Sequence, residues 1–175
     1  MGALDAISTP AREVLLEALM CVAWADRTLA DDERKAAQAA AMGLGLVLPA
    51  DRDLTSPDRK PLSPEELDVS RITERDKELV YLCAAWMALA DEVEDPEETR
   101  VLERLQARMT IADARASWLK ARAIDLRNAQ KDGTSWWRAF NRLVVEAAQA
   151  LSDGGSAGSD SSGSDSSGSD SSGSD

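Results

Sequence analysis

The feature that most constrains this chain is an acidic junction that occurs twice. Ala25-Asp26 is followed by Glu33, and Ala90-Asp91 is followed by Glu98, so the Asp and the Glu recur at one common offset. Each Ala-Asp pair ends a segment whose apolar residues fall at helical spacing: Val14, Leu15, Ala18, Leu19 and Val22 in the first copy, and Leu79, Leu82, Cys83, Trp86, Leu89 and Ala90 in the second. Each Glu falls in the first turn of the next helical pattern. Two helices joined by so few residues must lie side by side and antiparallel. The repeat therefore predicts two helix–loop–helix units, over about 10–43 and 73–110, with an Asp and a Glu of each unit close to one loop.

The remaining patterning is helical too. Apolar residues make up 43% of the chain but aromatic ones only 4%, so Ala and Leu dominate the apolar content. No sustained two-residue alternation suggests a strand. The first helix is expected over about 10–26, with Thr9 as cap and Pro10 opening it. The second follows Asp31-Asp32-Glu33 and ends at Met42, with Gly43 as its closing residue. Pro49, Pro57 and Pro61 interrupt any helix over 43–63. Ser63-Pro64-Glu65-Glu66 then reads as a capping box opening a helix of about two turns. Thr73 caps a helix over about 74–91, and Asp95-Pro96-Glu97-Glu98 opens another. A sixth helix begins at Thr110, with Ala112, Ala116, Leu119, Ala123 and Leu126 on its inner face. A seventh covers about 135–151, with Trp136, Trp137, Phe140, Leu143, Val144 and Ala147. The expected fold is all-α: a compact bundle of about seven helices in two pseudo-repeated halves, occupying 1–151.

Residues 152–175 contain only Ser, Asp, Gly and one Ala, with a Ser-Asp-Ser-Ser-Gly pentad repeating from Ser159. Such a segment has nothing to bury and is expected to be a disordered, solubilising tail. Its five Asp account for five of the twelve excess negative charges, leaving the rest at −7. An acidic domain of this kind disfavours nucleic acid and anionic membrane surfaces, and favours cations or basic protein partners.

The chain has no histidine, which removes Ser–His triads and His-bearing zinc sites. Cys21 and Cys83 lie within apolar helical patterns and read as buried, reduced thiols. The first residues show no basic and apolar leader pattern, and no apolar run reaches the length of a bilayer span. The expected location is cytoplasmic, without direct membrane insertion. Gly43-Leu44-Gly45 lacks the strand–turn–helix setting and the further glycine of a nucleotide-binding fingerprint.

The two junctions resemble the repeated A-D-G-x-[IV]-x-x-x-E segment of the TerB-like family. The first copy reads Ala25-Asp26-Arg27-Thr28-Leu29-Ala30-Asp31-Asp32-Glu33, with Leu29 in register and Arg27 in place of Gly. The second reads Ala90-Asp91-Glu92-Val93-Glu94-Asp95-Pro96-Glu97-Glu98, with Val93 one position early and Glu92 in place of Gly. Either Glu97 or Glu98 matches the family Glu. The resemblance spans about 10–130. It implies a compact fold of two pseudo-symmetric helical halves without catalytic activity. It also implies a role in protein complexes near the membrane, within tellurite-resistance and metal-stress gene sets. It further implies a divalent-cation site, which carries over to Asp26, Glu33, Asp91 and Glu98.

The residues themselves leave two readings open. Oxygen-only donors suit Ca²⁺ or Mg²⁺. Equally, each acid can cap the following helix or bond loop N–H groups, and Asp31, Asp32, Glu94, Asp95 and Glu97 form a solvated rim. Trp24 and Trp86 are expected in the core. Trp136 and Trp137 are adjacent on a helix and diverge by about 100°, so one of them is a candidate anchor for a protein partner. Three functional classes follow: a TerB-like interaction or scaffold domain, a metal-independent helical adaptor, and, remotely, a metal-dependent hydrolase. The hydrolase needs carboxylates along inward helix faces, whereas these acids sit at helix ends.

Overall fold

The computed structural model describes residues 7–25, 40–46, 63–88, 96–128 and 136–153. The described residues form helices joined by turns and short irregular links, and contain no strand. They form α1 (Thr9–Ala23), two 3₁₀ turns (Pro64–Glu66 and Val69–Arg71), α2 (Glu74–Ala88), α3 (Pro96–Met109), α4 (Asp113–Asn128) and α5 (Trp136–Asp153). Residues 40–43 are also helical. The all-α expectation therefore holds for the described residues.

α2 is the centre of the fold, packing against α1, α3, α4 and α5. A helix covered on several sides must be apolar around most of its circumference. Accordingly, every residue from Leu79 to Trp86 is buried, with Ala84 and Ala85 allowing close approach. Of the surrounding helices, α1 is likewise buried around most of its circumference, whereas α3, α4 and α5 bury one face each. α3 contributes Val101, Leu102, Leu105 and Met109, and α4 contributes Ala116, Leu119, Ala123 and Leu126. α5 contributes Phe140, Leu143, Val144 and Ala147, with the Phe140 ring tilted 53° to that of Trp86 at 6.3 Å. Removing a fully enclosed side chain such as Leu105 would cost about 2–5 kcal/mol.

Several element boundaries differ from expectation, each for a local reason. Ser8, not Thr9, caps α1: its hydroxyl accepts from the Ala11 N–H at 3.3 Å. α1 ends at Ala23 rather than near residue 26. Trp24 N–H donates to Met20 O and Ala25 N–H to Val22 O, which tightens the last turn. Gly45, not Gly43, closes the helical segment that includes residues 40–43, because it alone there takes a positive φ, 66°. The helix expected after Ser63 is instead two separate 3₁₀ turns. Leu67 between them is extended and buried, and its carbonyl accepts from both Nε and Nη2 of Arg108. That carbonyl is then unavailable to continue a helical ladder. Thr110 does not start α4; it closes α3 with φ 56°, and Ala112 ahead of α4 is exposed. α5 continues to Asp153, two residues into the segment assigned to the tail.

Candidate functional site: the acidic junctions and their frame

Of the four candidate cation ligands, Glu98 is described. Asp26, Glu33 and Asp91 lie outside the described residues. Glu98 is the third residue of α3 and half-buried. Its neighbour Glu97 pairs with Arg100 one turn on. α1 closes through Trp24 and Ala25, immediately before Asp26, and α2 is described up to Ala88, shortly before Asp91. α1, α2 and α3, which flank the two junctions, are all in mutual contact.

The frame around the junctions repeats with their own offset. Ser8 and Thr73 stand as far apart in the chain as Asp26 and Asp91 do. Each caps its helix through the N–H of the third residue on: Ala11 for Ser8, and Asp76 for Thr73 at 3.2 Å. The residues before the caps, Ile7 and Ile72, are both buried. The first residues of α1 and α2, Thr9 and Glu74, keep the same offset. The buried positions of the two helices coincide at Val14/Leu79, Leu15/Val80, Leu16/Tyr81, Ala18/Cys83, Leu19/Ala84 and Cys21/Trp86.

Two helix closures share the same offset as well. Gly45 at φ 66° and Thr110 at φ 56° are the residues with positive φ among those described, and the offset between them is again that of the junctions. Around Gly45, the Gly45 N–H donates to Met42 O and the Leu46 N–H to Ala41 O, both at 3.0 Å. Around Thr110, the Thr110 N–H donates to Ala107 O and the Ile111 N–H to Gln106 O, both at 3.2 Å. This paired closure is a Schellman motif in each case. Leu46 and Ile111, the residues that follow, each pack half-buried on the core.

Electrostatics around this frame is organised by ion pairs, one exposed and one half-buried. Glu65 receives Nε of Arg104 at 2.7 Å and a second bond from the same guanidinium. Those bonds hold its carboxyl down at about 2. Arg115 donates from Nε and Nη2 to Glu78, both at 2.7 Å. Cys21 and Cys83 are free and buried, as expected. Burial, then the nearby Glu17 carboxylate, pushes the Cys21 thiol up to about 12, and burial alone raises Cys83 further. Neither thiol is therefore a nucleophile near neutral pH.

No polar or charged residue is buried among the described residues, and no cluster of three or more metal-ligating side chains occurs among them. None of the described helices is long and apolar enough to cross a membrane. Trp136 and Trp137 form the start of α5, with side chains outside the described residues. Trp86 is buried as expected, whereas Trp24 is half-buried at the end of α1.

Two elements escape a reading of the sequence. The paired caps and closures are masked because Thr9-Pro10 and Gly43 are the more obvious local signals. The Ile-Ser pair at 7–8 and the Ile-Thr pair at 72–73, at the offset of the junctions, are the signal that could have found them. The outer face of α4 is the second, although Trp118 stands away from the Leu119 face in the sequence itself. No family model matches this chain, and no curated protein or solved structure does either.

Proposed function

We propose that this chain is a non-enzymatic protein-interaction domain of the TerB type. It is built from two copies of one helical unit, which carry Asp26, Glu33, Asp91 and Glu98 at their junctions, within a bundle of seven helices. The observation that carries the reading is the common register of cap, buried face and left-handed closure. A coincidence of acidic residues alone would not bring the caps and closures into the same register. The setting in tellurite and metal stress, and the membrane-proximal protein complex, come with the family resemblance and are part of the proposal.

The donor set fits a hard cation. Four carboxylates and no nitrogen or sulfur donor select Ca²⁺ or Mg²⁺ over softer metals. Four such groups drawn together repel one another, and a divalent ion relieves that repulsion. When bound, the cation would supply structural cross-linking of the two junctions; the residues holding it would be Asp26, Glu33, Asp91 and Glu98.

A second reading is favoured by one position. Glu98 stands in the first turn of α3, where a carboxylate complements the helix N-terminus without any metal. In that reading the chain is a metal-independent helical adaptor.

Thermal unfolding of the full chain in EDTA, and then with Ca²⁺ or Mg²⁺ in millimolar excess, separates the two. An ion at about 100 times its dissociation constant adds about 2.7 kcal/mol, a rise of several degrees. The rise should disappear in Asp26→Asn and Asp91→Asn. No shift with either ion rejects the cation site and leaves the adaptor.

A further inference from the structure

α4 lies outside both proposed repeated units, and its outer face combines exposed large apolar residues with basic edges. Trp118 and Ile124 are 42% and 44% exposed. With Ala114, Ser117, Ala121 and Asp125 they occupy a strip within about 60° of Ala121 around the helix, and all six are exposed. Arg115 and Arg122 border one edge of that strip, and Lys120 and Arg127 border the other. A chain of net charge −12 thus carries four cations along one helix that has only two acids, Asp113 and Asp125. Lys120, Arg122 and Arg127 make no ion pair with any described residue.

The aromatic of the strip is held in place. The Arg115 guanidinium carbon stacks 4.3 Å from the centre of the Trp118 ring. That guanidinium is itself fixed by two hydrogen bonds to Glu78 on α2. An anchor already ordered in the free protein loses less freedom on binding.

We infer that this face docks an acidic amphipathic helix of a partner protein. Its apolar side would cover Trp118, Ala121 and Ile124, and its carboxylates would face the basic edges. Charge complementarity decides among occupants. The Ser/Asp/Gly tail of this chain has the charge but only one Ala to set against Trp118 and Ile124. A second copy packed antiparallel about Ala121 would set Arg115 against Arg127 and Lys120 against Arg122. An anionic bilayer would meet Asp125 and Ser117 within the strip and a chain of net charge −12.

The test uses the full chain and a fluorescein-labelled designed amphipathic peptide of about 15 residues, with Leu on one face and Glu on its flanks. A second peptide carries Lys in place of Glu. Binding of the Glu peptide, weakened by salt and absent for the Lys peptide, is expected. Trp118→Ser and the double variant Arg122→Glu/Arg127→Glu should each weaken binding about tenfold or more while far-ultraviolet circular dichroism stays unchanged. Equal binding of both peptides, or undiminished binding by Trp118→Ser, overturns the inference. So does Trp118-dependent binding of the isolated tail peptide, of phosphatidylglycerol vesicles or of a second copy in place of the Glu peptide.

Discussion

Replacing Thr110 with Gly should stabilise this protein, and replacing Gly45 with Thr should destabilise it. Both residues hold the left-handed position that closes a helix, at φ 56° and 66°. A side chain bearing Cβ in that region costs about 1–2 kcal/mol, and a β-branched residue such as Thr is among the least suited to it. Glycine escapes this cost but loses about 0.5–1 kcal/mol more backbone freedom on folding. Thr110→Gly also gives up the part-buried bond from Oγ1 to Met109 O at 2.7 Å, which takes back part of that gain. The net gain is about 0.5–1 kcal/mol. Gly45→Thr reverses the terms. An added Cβ there meets Arg12 Nη1 at 3.5 Å, an ordinary contact, so the loss is conformational rather than a clash. Its size is again about 0.5–1 kcal/mol.

The assay is urea unfolding of the full chain followed by circular dichroism, with midpoints compared at constant slope. In a domain of this size each kcal/mol moves the thermal midpoint by about 2–4 °C, so the two variants should separate clearly on either side of the parent. A Thr110→Gly variant less stable than the parent, with unchanged slope, would refute the reasoning. It would mean that Thr110 contributes more than its hydroxyl bond, or that α3 does not close through a left-handed residue.

Two further substitutions probe the core. The Tyr81 hydroxyl is fully buried without a hydrogen-bond partner among the described residues. Tyr81→Phe should therefore raise stability by about 1 kcal/mol, measured by urea midpoint; a loss instead would reveal an acceptor for that hydroxyl. The Cys21 thiol is raised from 9.0 to about 12, so in alkaline solution the unfolded chain ionises first. The stability linked to this thiol is whole below pH 9 and declines as pH rises from 9 toward 12. Between about pH 8 and 10 the parent should lose more stability than Cys21→Ala. Equal slopes for the two would show that Cys21 is not buried as described.

How much is legible in the sequence depends on which residues decide each feature. The helical class follows from Ala- and Leu-rich spacing, and the inward faces of α3, α4 and α5 follow from the same periodicity. α2 reads as a single stripe through Leu79, Leu82, Cys83 and Trp86. Periodicity cannot tell that Val80, Tyr81, Ala84 and Ala85 are buried too, because that follows from four other helices surrounding α2. The turns around Leu67 are not legible for a similar reason: Arg108, 41 residues away, captures the carbonyl that a helix would need. Local signals name good caps, but tertiary contacts choose between neighbours such as Ser8 and Thr9. Of the candidate site, the acidic pairs are visible at once, while the frame that repeats around them is not.

That frame changes what the acidic pairs can mean. Acidic residues near helix starts are common, because they complement the helix dipole, and two such pairs need no shared origin. A left-handed closure held by two backbone bonds, and repeated at the offset of the acidic pairs, is a different kind of feature. In one copy it is made by Gly, which suits it, and in the other by Thr, which does not. Local preference therefore does not explain the second closure; the packing of Met109 and Ile111 on the core requires the chain to turn there. Leu44 and Leu46 occupy the corresponding places beside Gly45. The same turn on two sequences with so little in common is set at both places by packing on the core rather than by local preference. Under the proposed two-unit reading the Asp and Glu residues belong to that unit, and substituting them tests the proposal.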